Sequence, residues 1–417
     1  MSKTAEKPNQ AEINLGMIGH VDHGKSSLVQ AFSGKFPDTH SEEIRRGISI
    51  RLGYADCEFL QKKDGTYTTE KSKDTKLVRR ISFVDAPGHE VLMATMLSGA
   101  AIMDAVLLVI SATEPVPMPQ TREHLAAMNI IDMEKLIVVQ NKIELVSEEE
   151  AIKNFEDIQA FLDREWKKDA KNVPIIPISA IHKTNLDIVI QKIEENFKTP
   201  HRDPEISPFM LIARSFDINK PGMSPSEMHG GVVGGSISQG SLEVGMEIEI
   251  RPGINVNGKW KPIVTKISSL QSGFGNLEKA LPGGLIGVGT ELDPSMTKND
   301  RLVGHVLGKP DKLPPIYDKI TFDGMFLDRI VGLKSEDDQK VPQLPKGSKI
   351  MINIGTAKTV GTIDKSSQKG NSGRFTVDLV LPVCARDNTR LAISVLIDRR
   401  WRLIGYGNLI EGNPVVE

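Results

Sequence analysis

The segment from residue 19 to residue 26 limits the possible folds of this chain more than any other. It has the sequence Gly-His-Val-Asp-His-Gly-Lys-Ser, and the apolar run Ile13–Ile18 leads directly into it. A buried strand, a glycine-rich turn and a helix start are typical of a phosphate-binding loop, because the turn exposes backbone N–H groups to an anion. The alternative is an ordinary strand–turn–helix with a chance lysine. Four matching positions in the right context favour the phosphate loop.

This loop predicts specific roles for its residues. Lys25 can reach the β- and γ-phosphates of a nucleotide, and the hydroxyl of Ser26 can ligate Mg²⁺. The residues predicted to bind the phosphates are Asp22, His23, Gly24, Lys25, Ser26 and Ser27, together with Gly88 from a later segment.

Composition excludes several classes of protein. A chain of 417 residues can hold two to four domains. Its net charge of −2 excludes a uniformly basic RNA-coating protein, so an RNA partner has to be held by local patches or by a shaped pocket. Two distant cysteines, Cys57 and Cys384, favour a reducing compartment. Since no signal peptide or membrane-length apolar run is present, we expect a cytoplasmic protein without a membrane partner.

Strand and helix patterns alternate up to about residue 200, which predicts an α/β P-loop domain with a mostly parallel, doubly wound sheet. Ser147 and Glu150 form a capping-box pattern for a helix that runs to about Trp166. Asn185 is predicted to cap a second helix with one apolar face. The strand candidates are Ile13–Ile18, Ile81–Val84, Ala105–Ile110, Leu136–Val139 and Ile175–Ile178, and the apolar face comprises Leu186, Val189, Ile190, Ile193 and Phe197.

Proline- and glycine-rich turns then separate short apolar segments without helical periodicity, which predicts two all-β barrel domains. The segment from Gly308 to Pro315 separates the two barrels. The predicted organisation is a mobile tail (1–11), a nucleotide-binding domain (12–206), barrel domain II (207–313) and barrel domain III (314–417).

Two further motifs follow predicted strands of the first domain. Asp85-Ala-Pro-Gly88 comes after Ile81–Val84, where the carboxylate can hold Mg²⁺ through water and the Gly88 N–H can meet a γ-phosphate. Asn141-Lys-Ile-Glu144 follows the strand Leu136–Gln140. A carboxylate at this position can accept hydrogen bonds from the N1–H and the 2-amino group of guanine, which adenine lacks. The residues predicted to bind guanine are Asn141, Lys142, Glu144, Ser179, Ala180 and Ile181.

Together these motifs resemble the translational GTPases, and more closely the gamma-subunit family of initiation factor 2, in its archaeal form. The resemblance covers nearly the whole chain. Besides the segments already quoted, it rests on Arg-Arg-Gly-Ile-Ser-Ile-Arg-Leu-Gly-Tyr (45–54), Pro-Gln-Thr-Arg-Glu-His (119–124), Arg-Ser-Phe-Asp-Ile-Asn-Lys-Pro-Gly (214–222), Gly-Gly-Val-Val-Gly-Gly-Ser-Ile (230–237) and Arg-Arg-Trp-Arg-Leu-Ile-Gly (399–405).

The resemblance implies two nucleotide-sensing switches, at about 36–54 and about 85–103. Ser49 of the first would sense Mg²⁺, and His89 of the second would orient the attacking water, which makes His89 and Lys25 the expected catalytic residues. A loop imidazole without a catalytic part is the alternative for His89. The resemblance further implies a second Mg²⁺ held by Asp22 and the Gly47 carbonyl.

Three positions depart from the family pattern. Ser49 replaces a usual threonine, which removes the methyl group that restrains χ1. Glu144 replaces a usual aspartate, so the loop has to absorb one more methylene. Many relatives carry a four-cysteine zinc knuckle, but Cys57–Lys76 contains one cysteine. Since one cysteine cannot form a tetrahedral sulfur site, we expect a plain hairpin and no zinc.

The implied function is GTP-dependent delivery of initiator methionyl-tRNA to the small ribosomal subunit, as part of a heterotrimer with alpha and beta subunits. GTP hydrolysis then releases the tRNA. The residues predicted to contact tRNA are Gly231, Gly234, Gly235, Arg390 and Arg400. The competing accounts are a glycine-rich barrel corner and a solvated strand face.

Two other functions stay open at this point. One is an elongation-type or selenocysteine-specific tRNA carrier, for which a long additional carboxyl-terminal region is expected beyond Glu417. The other is an RNA-binding module whose nucleotide is only structural.

Overall fold

The computed structural model describes residues 8–37, 51–89, 92–328, 330 and 341–415. These residues form an α/β domain followed by two β-barrels, which confirms the predicted fold class. No helix in the described part of the chain is long and apolar enough to cross a membrane. The predicted domain boundaries stay predictions.

A seven-stranded sheet forms the centre of the first domain. Its strands are β1 (Ile13–Ile18), β2 (Gly53–Lys62), β3 (Tyr67–Thr68), β4 (Thr75–Asp85), β5 (Ala105–Ser111), β6 (Leu136–Asn141) and β7 (Ile175–Pro177). The order across the sheet is β3-β2-β4-β1-β5-β6-β7. Strands β4, β1, β5, β6 and β7 run parallel, whereas β2 pairs antiparallel with β4. The five predicted strands are all present. β1 has the predicted bounds, and each of the other four has at least one end that differs from the prediction by one to six residues.

Helices cover both faces of this sheet. They are α1 (Lys25–Ser33), α2 (Met93–Ala100), α3 (Pro119–Ile130), α4 (Glu148–Glu165) and α5 (Leu186–Asn196), with short 3-10 turns at Ile143–Leu145 and Ala170–Asn172. The predicted capping box of α4 is confirmed, because Ser147 and Glu150 exchange both hydrogen bonds. The five residues of the predicted apolar face of α5 are buried.

The predicted capping role of the Asn185 side chain is wrong. Asn185 precedes α5 with a left-handed backbone (φ 60°), and its side chain makes no capping hydrogen bond. Instead, its amide donates to the Pro177 carbonyl at 2.8 Å. The side chain therefore ties the helix start to the end of β7.

The second domain is a closed barrel. Its strands are β8 (Phe209–Phe216), β9 (Val232–Gln239), β10 (Leu242–Glu243), β11 (Glu247–Val256), β12 (Lys259–Ser272), β13 (Gly275–Leu277), β14 (Lys279–Ala280), β15 (Ile286–Thr290) and β16 (Val306–Gly308). Six of them follow the order β11-β16-β8-β9-β15-β12, and pairing of β11 with β12 closes the ring. A short helix, α6 (Pro294–Thr297), and 3-10 turns at Pro225–Glu227 and Lys298–Asp300 complete the domain.

The third domain is a six-stranded barrel of order β17-β20-β19-β18-β21-β22. These strands are β17 (Ile316–Phe326), β18 (Lys349–Ile354), β19 (Ala357–Ser366), β20 (Ser372–Cys384), β21 (Arg390–Ile397) and β22 (Arg400–Pro414). Along β17, buried apolar residues alternate with more exposed polar ones such as Asp318 and Asp323.

The last two residues of the predicted mobile tail are buried in the structure. Gln10 and Ala11 are 2% and 3% exposed. The Gln10 amide group donates to the carbonyls of Leu281 and Gly283 and accepts from the Leu281 N–H. Because these bonds satisfy a buried amide, residues 10 and 11 belong to the junction of the first two domains.

Candidate nucleotide-binding site

The phosphate-binding loop leaves β1 and enters α1 through two glycines with a positive φ. Gly19 has φ 136° and Gly24 has φ 91°, a backbone conformation that side chains disfavour. A Cβ at Gly19 would lie 2.3 Å from the Val109 carbonyl oxygen, and one at Gly24 would lie 2.4 Å from Nδ2 of Asn141. Only glycine fits either position, so the loop conformation is fixed by its sequence.

Lys25 and the Asp85–Gly88 segment meet at this loop. Lys25 is buried, and its Nζ donates to the carbonyls of Gly19 at 3.0 Å and His20 at 2.7 Å. A Cβ at Gly88 would lie 2.7 Å from this Nζ and 2.9 Å from the Val21 N. The residue predicted to meet the γ-phosphate therefore lies directly against the loop and its lysine.

Two oxygen donors come together at the start of α1. The Ser26 hydroxyl donates to Oδ2 of Asp85 at 2.6 Å, and Asp85 is fully buried at the end of β4. A hydroxyl beside a carboxylate is a donor set that suits Mg²⁺, which prefers oxygen ligands. Of the other predicted metal ligands, Ser49 and Gly47 lie outside the described residues, as does most of the first switch. Asp22 lies in the phosphate loop with a left-handed backbone (φ 63°) and an exposed side chain, and its role stays a prediction.

In the Cys57 region, β2 forms a short hairpin with β3 and pairs with β4 on its other side. The Cys57 thiol donates to the Phe32 carbonyl at 3.1 Å, and burial raises its pKa to about 12. Within the described ranges, no three His, Cys, Asp or Glu side chains are grouped so that they could hold a metal ion.

Asn141 links the phosphate loop to the loop after β7. Its Nδ2 donates to the His23 carbonyl at 3.0 Å, and its Oδ1 accepts from the Ala180 N–H at 3.1 Å. Ala180 is one of the residues predicted to bind guanine, and its N–H could contact the base only if the bond to Asn141 were shared or released. The fold thus brings the second strand-end motif and the Ser179-Ala180 loop to the phosphate loop.

Glu144 has an unsatisfied oxygen. Its Oε2 is buried and has no hydrogen-bond partner among the described residues. A buried acceptor without a donor costs free energy, and the N1–H and 2-amino groups of guanine would supply donors. Lys142, two residues earlier, has a left-handed backbone (φ 66°), and Ile181 is 74% exposed.

Two histidines of the phosphate loop differ in exposure, since His20 is partly exposed and His23 is buried. Burial lowers the pKa of His20, and it lowers the pKa of His23 to about 4, so the His23 imidazole is neutral at pH 7. The His23 Nδ1–H donates to the Val109 carbonyl at 3.1 Å, and Nε2 lies 3.4 Å from a Glu114 oxygen. Since the side chain is engaged away from solvent, only the backbone of His23 can meet a phosphate.

His124 is a residue that the sequence analysis missed. Its Nδ1 accepts a hydrogen bond from the Gly19 N–H at 2.9 Å. The motif at 119–124 contributes to the family resemblance, but the sequence analysis assigns no role to His124. The sequence of a histidine within a helix does not indicate that its ring accepts a hydrogen bond from a backbone N–H 105 residues away.

His89 follows Gly88 and is partly exposed, and its carbonyl accepts from the Leu92 N–H at 2.9 Å. Its predicted role in orienting water stays a prediction.

The helix α2 of the second switch contacts the third domain. The Asn353 amide on β18 donates to the Ala94 carbonyl at 3.0 Å and to the Ser98 hydroxyl at 3.2 Å. At Gly99, an added Cβ would lie 2.4 Å from the Leu52 side chain. The helix that follows the predicted γ-phosphate segment is thus enclosed between Leu52, which lies within the predicted first switch, and a barrel.

The predicted tRNA-binding residues lie in different environments. A Cβ at Gly231 would lie 2.5 Å from the Thr297 side chain, and one at Gly235 would lie 1.9 Å from the Leu211 carbonyl, so barrel packing alone requires both glycines. At Gly234, the nearest atom to an added Cβ lies 3.7 Å away.

The two predicted arginines also differ. The Arg390 guanidinium stacks 4.0 Å from the Tyr406 ring centroid and lies 3.5 Å from Asp132 of the first domain, whereas Arg400 is exposed. Arg390 therefore contributes to a domain interface, and the tRNA role of all five residues stays a prediction.

Family models match three parts of the chain. Residues 10–199 match the "Elongation factor Tu GTP binding domain", residues 230–308 match "Elongation factor Tu domain 2", and residues 318–409 match "Initiation factor eIF2 gamma, C terminal".

Curated relatives match over nearly the full length. Proteins named "Translation initiation factor 2 subunit gamma" are 53% identical in Methanocaldococcus jannaschii and 51% identical in Methanopyrus kandleri, in both cases over 98% of this chain and 99% of the relative. The Pyrococcus abyssi protein of that name is 49% identical over 97% of this chain and 99% of its own.

Solved structures show the same fold. A bacterial selenocysteine-specific elongation factor has a TM-score of 0.73 at 22% identity, covering 96% of this chain and 58% of its own. The elongation factor SelB from Methanococcus maripaludis, solved with a GTP analogue, has a TM-score of 0.71 at 24% identity, covering 98% of this chain and 81% of its own. Identities this low show the fold alone.

Proposed function

The chain belongs to the translation initiation factor 2 subunit gamma family and is a translational GTPase, and from this premise we propose that it carries initiator methionyl-tRNA to the small ribosomal subunit in its GTP form. The loss of the γ-phosphate then ends tRNA binding. The selenocysteine-specific alternative finds support only in a shared fold at low identity.

The single observation that carries this proposal is the contact of α2 with the third domain. This helix begins five residues after Gly88, and its backbone and Ser98 hydroxyl accept hydrogen bonds from Asn353. A movement of the γ-phosphate segment cannot leave these bonds unchanged, because interfaces rearrange between discrete packings. The nucleotide state can therefore act on the barrels, where an RNA can be held or released.

Magnesium and the phosphate contacts belong to the same proposal. The Ser26 hydroxyl and the Asp85 carboxylate would hold Mg²⁺, which neutralises charge on the β- and γ-phosphates when it is bound. Lys25 would bind the phosphates, Gly88 would donate its N–H to the γ-phosphate, and His89 would orient the attacking water. Since phosphoryl transfer needs mainly positioning and charge neutralisation, this set suffices for slow intrinsic hydrolysis.

The base is proposed to be guanine, held by Glu144 and by Asn141 beside the Ser179-Ala180 loop. The buried, unsatisfied Oε2 of Glu144 supports this assignment, since a neutral donor pair on the ligand would satisfy it.

The proposed partners are the initiator tRNA, the alpha and beta subunits of the same factor and the small ribosomal subunit. Because a net charge of −2 excludes a uniformly basic protein, we propose that the tRNA is held in a shaped site between domains. The glycines at 231, 234 and 235 and the arginines at 390 and 400 remain the candidate contacts.

A filter-binding assay tests this function. The protein, saturated with a non-hydrolysable GTP analogue or with GDP, is titrated with initiator methionyl-tRNA and with an elongator tRNA. We expect tighter binding of the initiator, and only with the GTP analogue. Equal affinity with both nucleotides would refute the switch, and equal affinity for both tRNAs would refute the initiator assignment.

A pair of variants tests whether the contact between α2 and the third domain transmits the nucleotide state. Asn353→Ala removes both bonds to α2 and should reduce the nucleotide dependence of tRNA binding. Asn371→Ala, an exposed residue of the same barrel that bonds Asp328, is the matched control and should leave that dependence unchanged. Equal behaviour of the two variants would show that α2 does not transmit the nucleotide state through Asn353.

A further inference from the structure

The helix α3 buries polar side chains that the proposed function does not use. Thr121, Glu123 and His124 are all 5% exposed or less. Burying polar and charged groups on a helix is costly unless each has a partner. The partners of Glu123 and His124 lie in different domains.

His124 binds the first residue of the phosphate loop. Its Nδ1 accepts from the Gly19 N–H at 2.9 Å, which requires an unprotonated Nδ1 and places the ring proton on Nε2. Burial, with Lys25 nearby, lowers the pKa of His124 to about 3. The imidazole therefore stays a neutral acceptor throughout the physiological pH range.

The Gly19 residue is held through both of its backbone polar groups. Its N–H is bound by His124, and its carbonyl accepts from the Lys25 Nζ at 3.0 Å. The Val109 carbonyl leaves no room for a side chain at this residue. The position of Gly19 sets where the following N–H groups of the loop point, and those groups are the ones that meet the phosphates.

Glu123, which directly precedes His124 on the helix, faces the third domain. Its carboxylate lies 2.8 Å from Nη1 of Arg402 on β22, and the two side chains are 6% and 10% exposed. A buried ion pair depends on good geometry, because each charge is costly when it is left alone. Adjacent residues of one helix thus hold the phosphate loop and the third domain.

We propose that His124 is a positioning residue for the phosphate loop, and that Glu123 couples this loop to the third domain through Arg402. In this arrangement, movement of the third domain changes how firmly the nucleotide is held. The inference concerns nucleotide binding alone, so failure of the tRNA assignment would leave it standing.

The experiment measures the release of a fluorescent GDP from the full-length protein by chase with unlabelled GDP. His124→Leu keeps the volume but removes the acceptor, so the buried Gly19 N–H loses its partner. We expect GDP release to accelerate about tenfold, the effect of losing one buried hydrogen bond. His124→Asn offers an Oδ1 acceptor and should restore release to within about twofold of the unaltered protein.

The coupling is tested with the double variant Glu123→Gln and Arg402→Met, which removes the pair without leaving one buried charge. We expect GDP release to accelerate about threefold, and the effect to be less than multiplicative when it is combined with His124→Leu, because residues that act together are not additive. Asp132→Asn is the matched control. It weakens another contact between the same two domains, to Arg390 at 3.5 Å, and should leave release unchanged.

Four results would overturn the inference. Unaltered GDP release in His124→Leu, or equal acceleration in the Leu and Asn variants, would show that the acceptor does not position the loop. Equal acceleration in the Asp132 control and in the double variant would remove the role of Glu123. If His124→Leu does not fold, hydrogen exchange of the Gly19 amide in the unaltered, nucleotide-free protein decides, since the inference requires protection and rapid exchange would contradict it.

Discussion

Replacing Glu144 by Gln should change which base this site accepts. The buried Oε2 of Glu144 has no partner among the described residues, and a bound guanine would supply two donors, N1–H and the 2-amino group. Glutamine keeps one acceptor oxygen but replaces the other with an amide that donates. That amide would face the 2-amino group of guanine, which is also a donor. Xanthine carries a carbonyl at this position, and this carbonyl would accept a hydrogen bond from the amide.

The size of the effect follows from these bonds. A hydrogen bond to a charged group contributes about 1.5–3 kcal/mol, and a neutral one contributes about 1 kcal/mol. Losing one charged bond and weakening the other should cost about 2.5–4 kcal/mol, which is about 60- to 700-fold in GDP affinity.

Competition of unlabelled GDP and xanthosine diphosphate against a fluorescent GDP measures both affinities. Glu148→Gln, at the exposed start of α4, is the matched control and should bind GDP as the unaltered protein does. If Glu144→Gln binds GDP within about threefold of the unaltered protein and still rejects xanthine, Glu144 does not recognise the base.

Three further predictions follow from the structure. His89→Ala should slow single-turnover GTP hydrolysis by about 10²–10⁴-fold without changing GDP affinity, measured by quench-flow, and an unchanged rate would remove its catalytic role. Arg402→Met should lower the free energy of unfolding by about 3–5 kcal/mol in urea titrations, because it leaves Glu123 buried without this partner; a loss below about 1 kcal/mol would contradict the buried pair. Because the folded-state pKa of His124 lies near 3, below its ordinary 6.5, the unfolded chain binds the extra proton first. The contribution of His124 to the free energy of unfolding is therefore fully present above pH 6.5. It decreases as the pH falls towards about 3, and the decrease between pH 6.5 and pH 5 is about 2 kcal/mol. His124→Asn should flatten the urea-derived pH profile in this window, and an unaltered slope would refute the assignment.

Sequence alone predicted the residues whose positions follow from strand order. Gly24, Lys25, Ser26, Asp85 and Asn141 all lie at the carboxyl ends of parallel strands or in the loop after one, and the fold brings them together for that reason. Short-range patterns such as the capping box of α4 were equally readable, because donor and acceptor lie three residues apart.

Contacts across long sequence separations were not predictable. The bond from Gly19 to His124 spans 105 residues, and the pair of Glu123 with Arg402 spans 279. The chain pattern shows only that such groups are polar, whereas the fold decides which of them meet. The same reason explains the tail, where Gln10 finds its partners 271 and 273 residues away.

The most direct test of the central claim, that the γ-phosphate governs tRNA binding, uses the reciprocity of linked equilibria. If the GTP form binds initiator methionyl-tRNA more tightly by some factor, that tRNA must favour GTP over GDP by the same factor. The measurement compares the affinities of a fluorescent GTP analogue and a fluorescent GDP, each with and without saturating initiator tRNA. We predict that tRNA tightens the analogue relative to GDP by the factor found in tRNA binding. An unchanged ratio of the two affinities would contradict the account.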